Sequence, residues 1–221
     1  MKLLWRALMK FLVGFALLSG LIFLPAGTFA YPHAWLFFAV LFLPMLLLGI
    51  FLYRKQPQLL EKRLSHREKE KTQQGVIALS ALMFPAGFVI AALDFRFSWS
   101  VVPTWCVIAA SISFLLGYAM YAEVMRENAF LSRTVEVQQN QYVIDTGLYG
   151  VVRHPMYLAT LLMFLPLSLI LGSLWGLIPF ALYPIILVVR LLDEEKMLMA
   201  SLDGYATYCQ KVKYHLIPLI W

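Results

Sequence analysis

The chain is dominated by stretches that no water-soluble domain carries in such number. Apolar runs at about 11–30, 34–53, 75–93 and 101–121, and a fifth from Met156 to Val189, contain no Asp, Glu, Lys or Arg. About 20 apolar residues cross a bilayer core as one helix, so each of the first four runs predicts one span. The fifth has 34 residues, too many for one crossing. Gly172 and Ser173 near its middle, with Pro166 and Pro179 on either side, predict two helices folded back as a hairpin. The expected fold class is an all-α integral membrane protein of about six transmembrane helices, forming one domain over residues 1–221. Four generic helices fill residues 1–121, and the remaining region 122–221 holds the hairpin at 156–189 and a polar tail. Composition agrees, since 62% of residues are hydrophobic, 14% are charged and the mean hydropathy is +0.76, whereas soluble domains run near half apolar and a quarter charged.

The distribution of positive charge tests the count of spans. Lys2, Arg6 and Lys10, seven cations in the 54–74 loop, then Arg126, Arg133, Arg153, Arg190, Lys196, Lys211 and Lys213 all fall on one side; Arg96 alone falls on the other. Cations accumulate in cytoplasmic loops, which predicts that both termini and both long polar segments are cytosolic. A bacterial inner membrane is the expected location. The first run, with basic residues before it and Thr28, Phe29 and Ala30 after it, also has the shape of a cleaved leader; we read it as a span. The net charge of +6 is explained by membrane lipids as partners, with no nucleic acid. The spans carry no ionisable group away from their ends, which argues against a proton-coupled transporter or a channel. Four scattered histidines and two cysteines 103 positions apart lack metal-site or disulfide spacing, so no metal is expected.

Polar residues crowd at two places, one on each side of the hairpin. GxYxxxRHPxY runs from Gly147 to Tyr157, and Arg190 is followed by Asp193, Glu194, Glu195 and Lys196. A hairpin that crosses and returns brings His154 and Glu194 to the same membrane face, which makes a shared cytosolic pocket natural. Pro155 suits a first helical turn, and the free amides there, with Arg153, can hold a carboxylate or phosphate. An interfacial anchor fits the same residues. Three consecutive acids at a helix C-terminus oppose the helix dipole and an anionic leaflet; a turn neutralised by Arg190 and Lys196 fits them, and so does a site at Glu194 or Glu195 for a ribose hydroxyl or a cationic ligand group. Alternation at Thr134–Val137 and Tyr142–Ile144 predicts a short hairpin, either a lid over the pocket or a connector. The 54–74 loop reads as a solvated, headgroup-facing segment. Tyr205, Tyr208 and Tyr214 with Trp221 form either an interfacial belt or a packing surface for a cofactor base.

Taken in order, GxYxxxRHPxY at Gly147–Tyr157, the apolar hairpin, EExxL at Glu194–Leu198, GYxxY at Gly204–Tyr208 and the closing Ile217, Pro218 and Trp221 resemble the isoprenylcysteine carboxyl methyltransferase family and the related phospholipid methyltransferases. The resemblance covers about Asn128 to Trp221. It departs at Ala159, where many members have glycine. It implies an S-adenosylmethionine-dependent methyltransferase, acting on a carboxylate or other nucleophile of a lipophilic acceptor that arrives through the bilayer. His154, Tyr157 and Glu194 come first as cofactor-binding residues, then Arg153, Tyr149, Glu195 and Pro155. Arg153 or Arg190 would hold an anionic acceptor and Asn128 would orient it. Two other readings compete. An NADPH-dependent reductase of the membrane sterol-reductase type needs cations for three phosphates, and a non-catalytic scaffold or lipid-binding protein needs no facing polar clusters.

Overall fold

Proline and glycine punctuate the apolar runs and decide where each helix starts and stops. The structure, a computed structural model, describes residues 2–64, 71–131 and 138–221. Helix α1 spans Lys2–Ala26 and α2 spans Pro32–Lys55. Gly27, at φ 72°, ends α1 with its N–H donating to the Phe23 carbonyl at 3.0 Å, the left-handed stop that costs glycine least. Pro32 opens α2, where its missing N–H is not needed. Helices α4 (Lys71–Phe97) and α5 (Thr104–Glu127) follow. Among the described residues four helices are long and apolar enough to cross a membrane, Lys2–Ala26, Pro32–Lys55, Leu79–Phe97 and Thr104–Glu127. They match the first four predicted spans. Each helix runs past the charge-free stretch that announced it, because good helix formers continue into the flanking polar sequence.

The hairpin is present, but neither arm is one straight helix. Its first arm is α6 (Pro155–Phe164) and α7 (Leu167–Ile170), its second α8 (Leu177–Phe180) and α9 (Tyr183–Ser201). Pro166 breaks the first arm by removing a backbone donor and crowding the preceding turn. Pro179 and Pro184 bracket the break in the second. Between the arms Gly172 turns the chain at φ 74°, and a Cβ there would sit 2.8 Å from His33 Nδ1.

That turn lies at the opposite end of the bundle from His154. The Tyr31 hydroxyl donates to the Leu171 carbonyl at 2.6 Å. Asp94, 1% exposed, accepts from the Ser100 N–H at 2.7 Å, from the Ser100 hydroxyl at 2.6 Å and from the Ser173 hydroxyl. Tyr31 and Asp94 belong to the α1–α2 and α4–α5 ends, so the hairpin traverses the same thickness as the four long helices. Arg96 shares that far end, its guanidinium beside Gly27. The carbonyl of Ala159 would be 2.7 Å from a Cβ at Gly117 of α5. Ala159 is fully buried in this α5–α6 contact and does not line the cavity described below, so its methyl fills a helix interface.

Three expectations are corrected. The 54–74 segment is not a plain solvated loop. Helix α3 (Pro57–Leu64) buries Leu59 and Leu60 against Leu52, Val124, Met125 and Leu131, because its apolar pair falls on one helical face. Arg6 pairs with Glu61 at 3.5 Å, and Lys10 Nζ donates to the Leu64 carbonyl at 2.6 Å. The acid triplet does not end a helix either; α9 continues through it to Ser201, since nothing between Arg190 and Gly204 breaks a helix. The dipole objection therefore fades, as it acts only within the last turn. Residues 134–137 of the expected lid hairpin lie outside the described residues, and Tyr142–Ile144 is coil rather than strand.

Candidate functional site

A cavity, open on one side, lies at the end of the bundle where the hairpin begins and ends. Three segments make its polar wall. Pro155 starts α6 with His154 as the residue before it, so Arg153, His154 and Tyr157 fall on the first turn or just ahead of it. Arg190 and Glu194, one turn apart on α9, face them. The tail after α9 returns as α10 (Tyr205–Lys211) and adds Tyr205 and Tyr208. The lining also includes the apolar side chains of Phe130, Leu131, Met156 and Met197.

Tyr157 joins the two arms of the hairpin. Its hydroxyl donates to Glu194 and accepts from Arg190 Nε at 3.2 Å. Arg190 and Glu194 thus meet through a tyrosine. Asn128 Nδ2 donates to the Tyr149 hydroxyl at 2.9 Å, its Oδ1 accepts from the Phe130 N–H at 2.9 Å, and the Tyr208 hydroxyl donates to the Tyr149 carbonyl at 2.7 Å. Burial pushes the Tyr149 hydroxyl up to about 12, so it remains a proton donor throughout the physiological range.

Glu195 points elsewhere. It does not line the cavity; its carboxylate lies 3.0 Å from Arg153 Nε, 3.1 Å from His154 Nε2 and 3.0 Å from His215 Nδ1. Adjacent helix positions are about 100° apart, so Glu194 and Glu195 serve different neighbours. The backbone supports the same arrangement, with the Arg153 N–H donating to the Tyr214 carbonyl and the His154 N–H to the His215 carbonyl, both at 2.9 Å. The His215 ring stacks on Trp221 at 4.8 Å. The tail thereby straps the segment that starts α6.

The structure brings Asn128, Tyr149, Arg153, His154, Tyr157, Arg190 and Glu194 around one cavity, and sets Pro155 and Glu195 behind its wall. Sequence reasoning did not single out Phe130, Met156 or Met197, which carry no chemical signature. It left Tyr205 and Tyr208 undecided between belt and pocket. Both are buried, at 4% exposure each, and the GYxxY spacing was their signal. No group of His, Cys, Asp and Glu placed to hold a metal ion occurs among the described residues.

Acid should loosen this strap. Burial acts to raise the Glu195 carboxyl, but the hydrogen bond to His154 and the charges of His154, Arg153 and His215 outweigh it and hold the group below its usual value. Burial lowers the His215 imidazole, as do Arg153 and His154, and together they outweigh Glu195. Both groups bind protons less readily folded than unfolded, so their contributions to stability are full above the unfolded values and drain as pH falls. The His215 part fades below about 6.5 and the Glu195 part below about 4.5. The melting temperature in detergent is expected to fall between pH 7.5 and 5, and His215→Gln is expected to flatten that slope.

The comparisons with known proteins fall on the same region. Residues 105–204 match the phospholipid methyltransferase family. A stretch of 92 residues, 40% of this chain, is 34% identical to a Delta(14)-sterol reductase of Mus musculus. That stretch spans 22% of the reductase, so the chain covers only a small part of that relative. Residues 105–204, which hold most of the cavity wall, are thus similar to the phospholipid methyltransferase family.

Proposed function

We propose that this protein is a membrane methyltransferase that uses S-adenosylmethionine to methylate a carboxylate of a lipophilic acceptor at the cytosolic face. The observation that carries the reading is the cavity itself, where Arg153, His154 and Tyr157 face Arg190 and Glu194 inside the matched region. The excess of cations at this end supports a cytosolic orientation. When bound, the cofactor supplies an electrophilic methyl group on a sulfonium.

The residues present fit such a group. Its positive charges find the Glu194 carboxylate, which Tyr157 orients, and its nucleoside finds the aromatic wall of Tyr205 and Tyr208. His154 and Tyr149 complete that side. Arg153 and Arg190 hold an anionic acceptor, and Asn128 orients it by fixing Tyr149 and the Phe130 backbone. The carboxylate needs no deprotonation, so the wall serves by positioning and by excluding water as opposite charges cancel. The apolar side chains of Phe130, Leu131 and Met156 suit a hydrocarbon chain entering from lipid. Glu195 acts through Arg153 and His154, and Pro155 starts the helix that presents them.

The reductase match favours a second reading, NADPH-dependent reduction. Three phosphates require more positive charge than this wall offers, where Arg153 and Arg190 stand beside Glu194 and Glu195. Calorimetry on detergent-purified protein decides. S-adenosylhomocysteine is expected to bind in the micromolar range, with His154→Ala and Glu194→Gln each weakening it at least tenfold at unchanged folded fraction. Binding of NADPH instead establishes the reductase reading. Binding of neither ligand to folded protein leaves a scaffold or lipid-binding protein.

A further inference from the structure

The aromatic part of the cavity wall holds a polar atom that the fold leaves without a partner. Tyr205 is 4% exposed, and its ring packs in a cluster with Leu198, Leu202, Tyr208 and Val212. Its buried hydroxyl neither donates nor accepts a hydrogen bond among the described residues. Tyr208 provides the contrast, because its hydroxyl has the Tyr149 carbonyl at 2.7 Å. A hydroxyl stripped of water and given nothing in return works against folding. A phenylalanine at 205 would make every contact that the ring makes, so the oxygen has no role in holding the apo fold.

The surroundings define what it can bind. Burial and then the carboxylates of Glu195 and Glu194 raise the hydroxyl's pKa, with Arg153 opposing them, so the group is a neutral donor in a negative local field. An anionic partner is repelled there, and a cationic one has no use for a donor. A neutral acceptor fits. The Tyr205 and Tyr208 rings, 5.7 Å apart at 47°, offer an aromatic surface beside it.

We propose that the Tyr205 hydroxyl is the group that reads the nucleoside: it donates a hydrogen bond to a ribose oxygen or adenine ring nitrogen of the bound cofactor. This deepens the methyltransferase reading and rests on it. Tyr205 is then a binding residue of the cofactor pocket that satisfies its own buried oxygen only when the ligand is present.

The test compares Tyr205→Phe with the wild type, using S-adenosylhomocysteine and 5′-methylthioadenosine, which lacks the amino-acid half. Both ligands are expected to bind about tenfold more weakly to the variant, the effect of one neutral hydrogen bond. The ligand-free melting temperature should stay level or rise, because an unpaired hydroxyl has been removed. Equal affinities in variant and wild type overturn the proposal while leaving the cofactor reading intact. So does a loss confined to S-adenosylhomocysteine, which moves the hydroxyl to the amino-acid half. A melting temperature lowered by several degrees overturns it in favour of a structural role. Wild-type protein that binds neither nucleoside overturns this proposal together with the reading beneath it.

Discussion

Glu195→Gln is expected to weaken S-adenosylhomocysteine binding at least a hundredfold and to cost about 3 kcal/mol of stability, the penalty for removing one partner of a buried ion pair. The Glu195 side chain is 15% exposed, Arg153 10% and His154 4%. Glutamine keeps the shape and loses the charge, leaving Arg153 with His154 and His215 close by and no anion among them. The ordinary value of a surface pair does not apply at this depth. The binding loss follows because Arg153 and His154 line the cavity, and both would turn toward whatever acceptor remains. Glu194→Gln provides the comparison, since it should reduce binding with a smaller change in melting temperature. Calorimetry and thermal unfolding on the same preparations measure the two effects. Wild-type affinity in Glu195→Gln would mean that the wall holds its shape without the carboxylate.

The second large effect is expected about a bundle's length away. Asp94→Ala should lose about 3–5 kcal/mol, because it strands the half-buried Ser100 N–H and hydroxyl and the buried Ser173 hydroxyl, at about 1–3 kcal/mol for each buried group left unsatisfied. Asp94→Asn retains one acceptor oxygen and should recover part of the loss. Thermal unfolding of both variants, with S-adenosylhomocysteine affinity measured on the folded fraction, separates support of the hairpin turn from damage to the cavity. A melting temperature unchanged in Asp94→Ala would show that Tyr31 alone secures the turn.

The membrane helices were legible because a bilayer imposes length and apolarity together, and nothing else in the chain satisfies both. The meeting of His154 with the acid triplet was legible for the same reason, since a hairpin of bilayer length must return to the face it left. Helix phase was not legible. Whether Glu194 or Glu195 enters the cavity depends on a rotation of about 100°, which packing against α6 decides and composition does not. Nor was α3 legible, because Leu59 and Leu60 bury themselves only once Val124, Met125 and Leu131, far along the chain, are in place. The tail tyrosines were ambiguous since an interfacial ring and a pocket ring need the same amphipathic side chain. The acids did not terminate a helix because the apolar run ended before the helix did.

The pairing of residues 153 and 154 with residues 214 and 215 sets an order of assembly. The first wall of the cavity is synthesised some 60 positions before the strap that fixes it, and the whole hairpin lies between them. During translation the hairpin must insert and turn at Gly172, and α9 must descend, before His215 can reach Glu195. Until then Arg153, His154 and the acids have no fixed partners. A nascent chain therefore has its membrane helices before it has a pocket, whose polar wall is tied down only after residues 214 and 215 have been made.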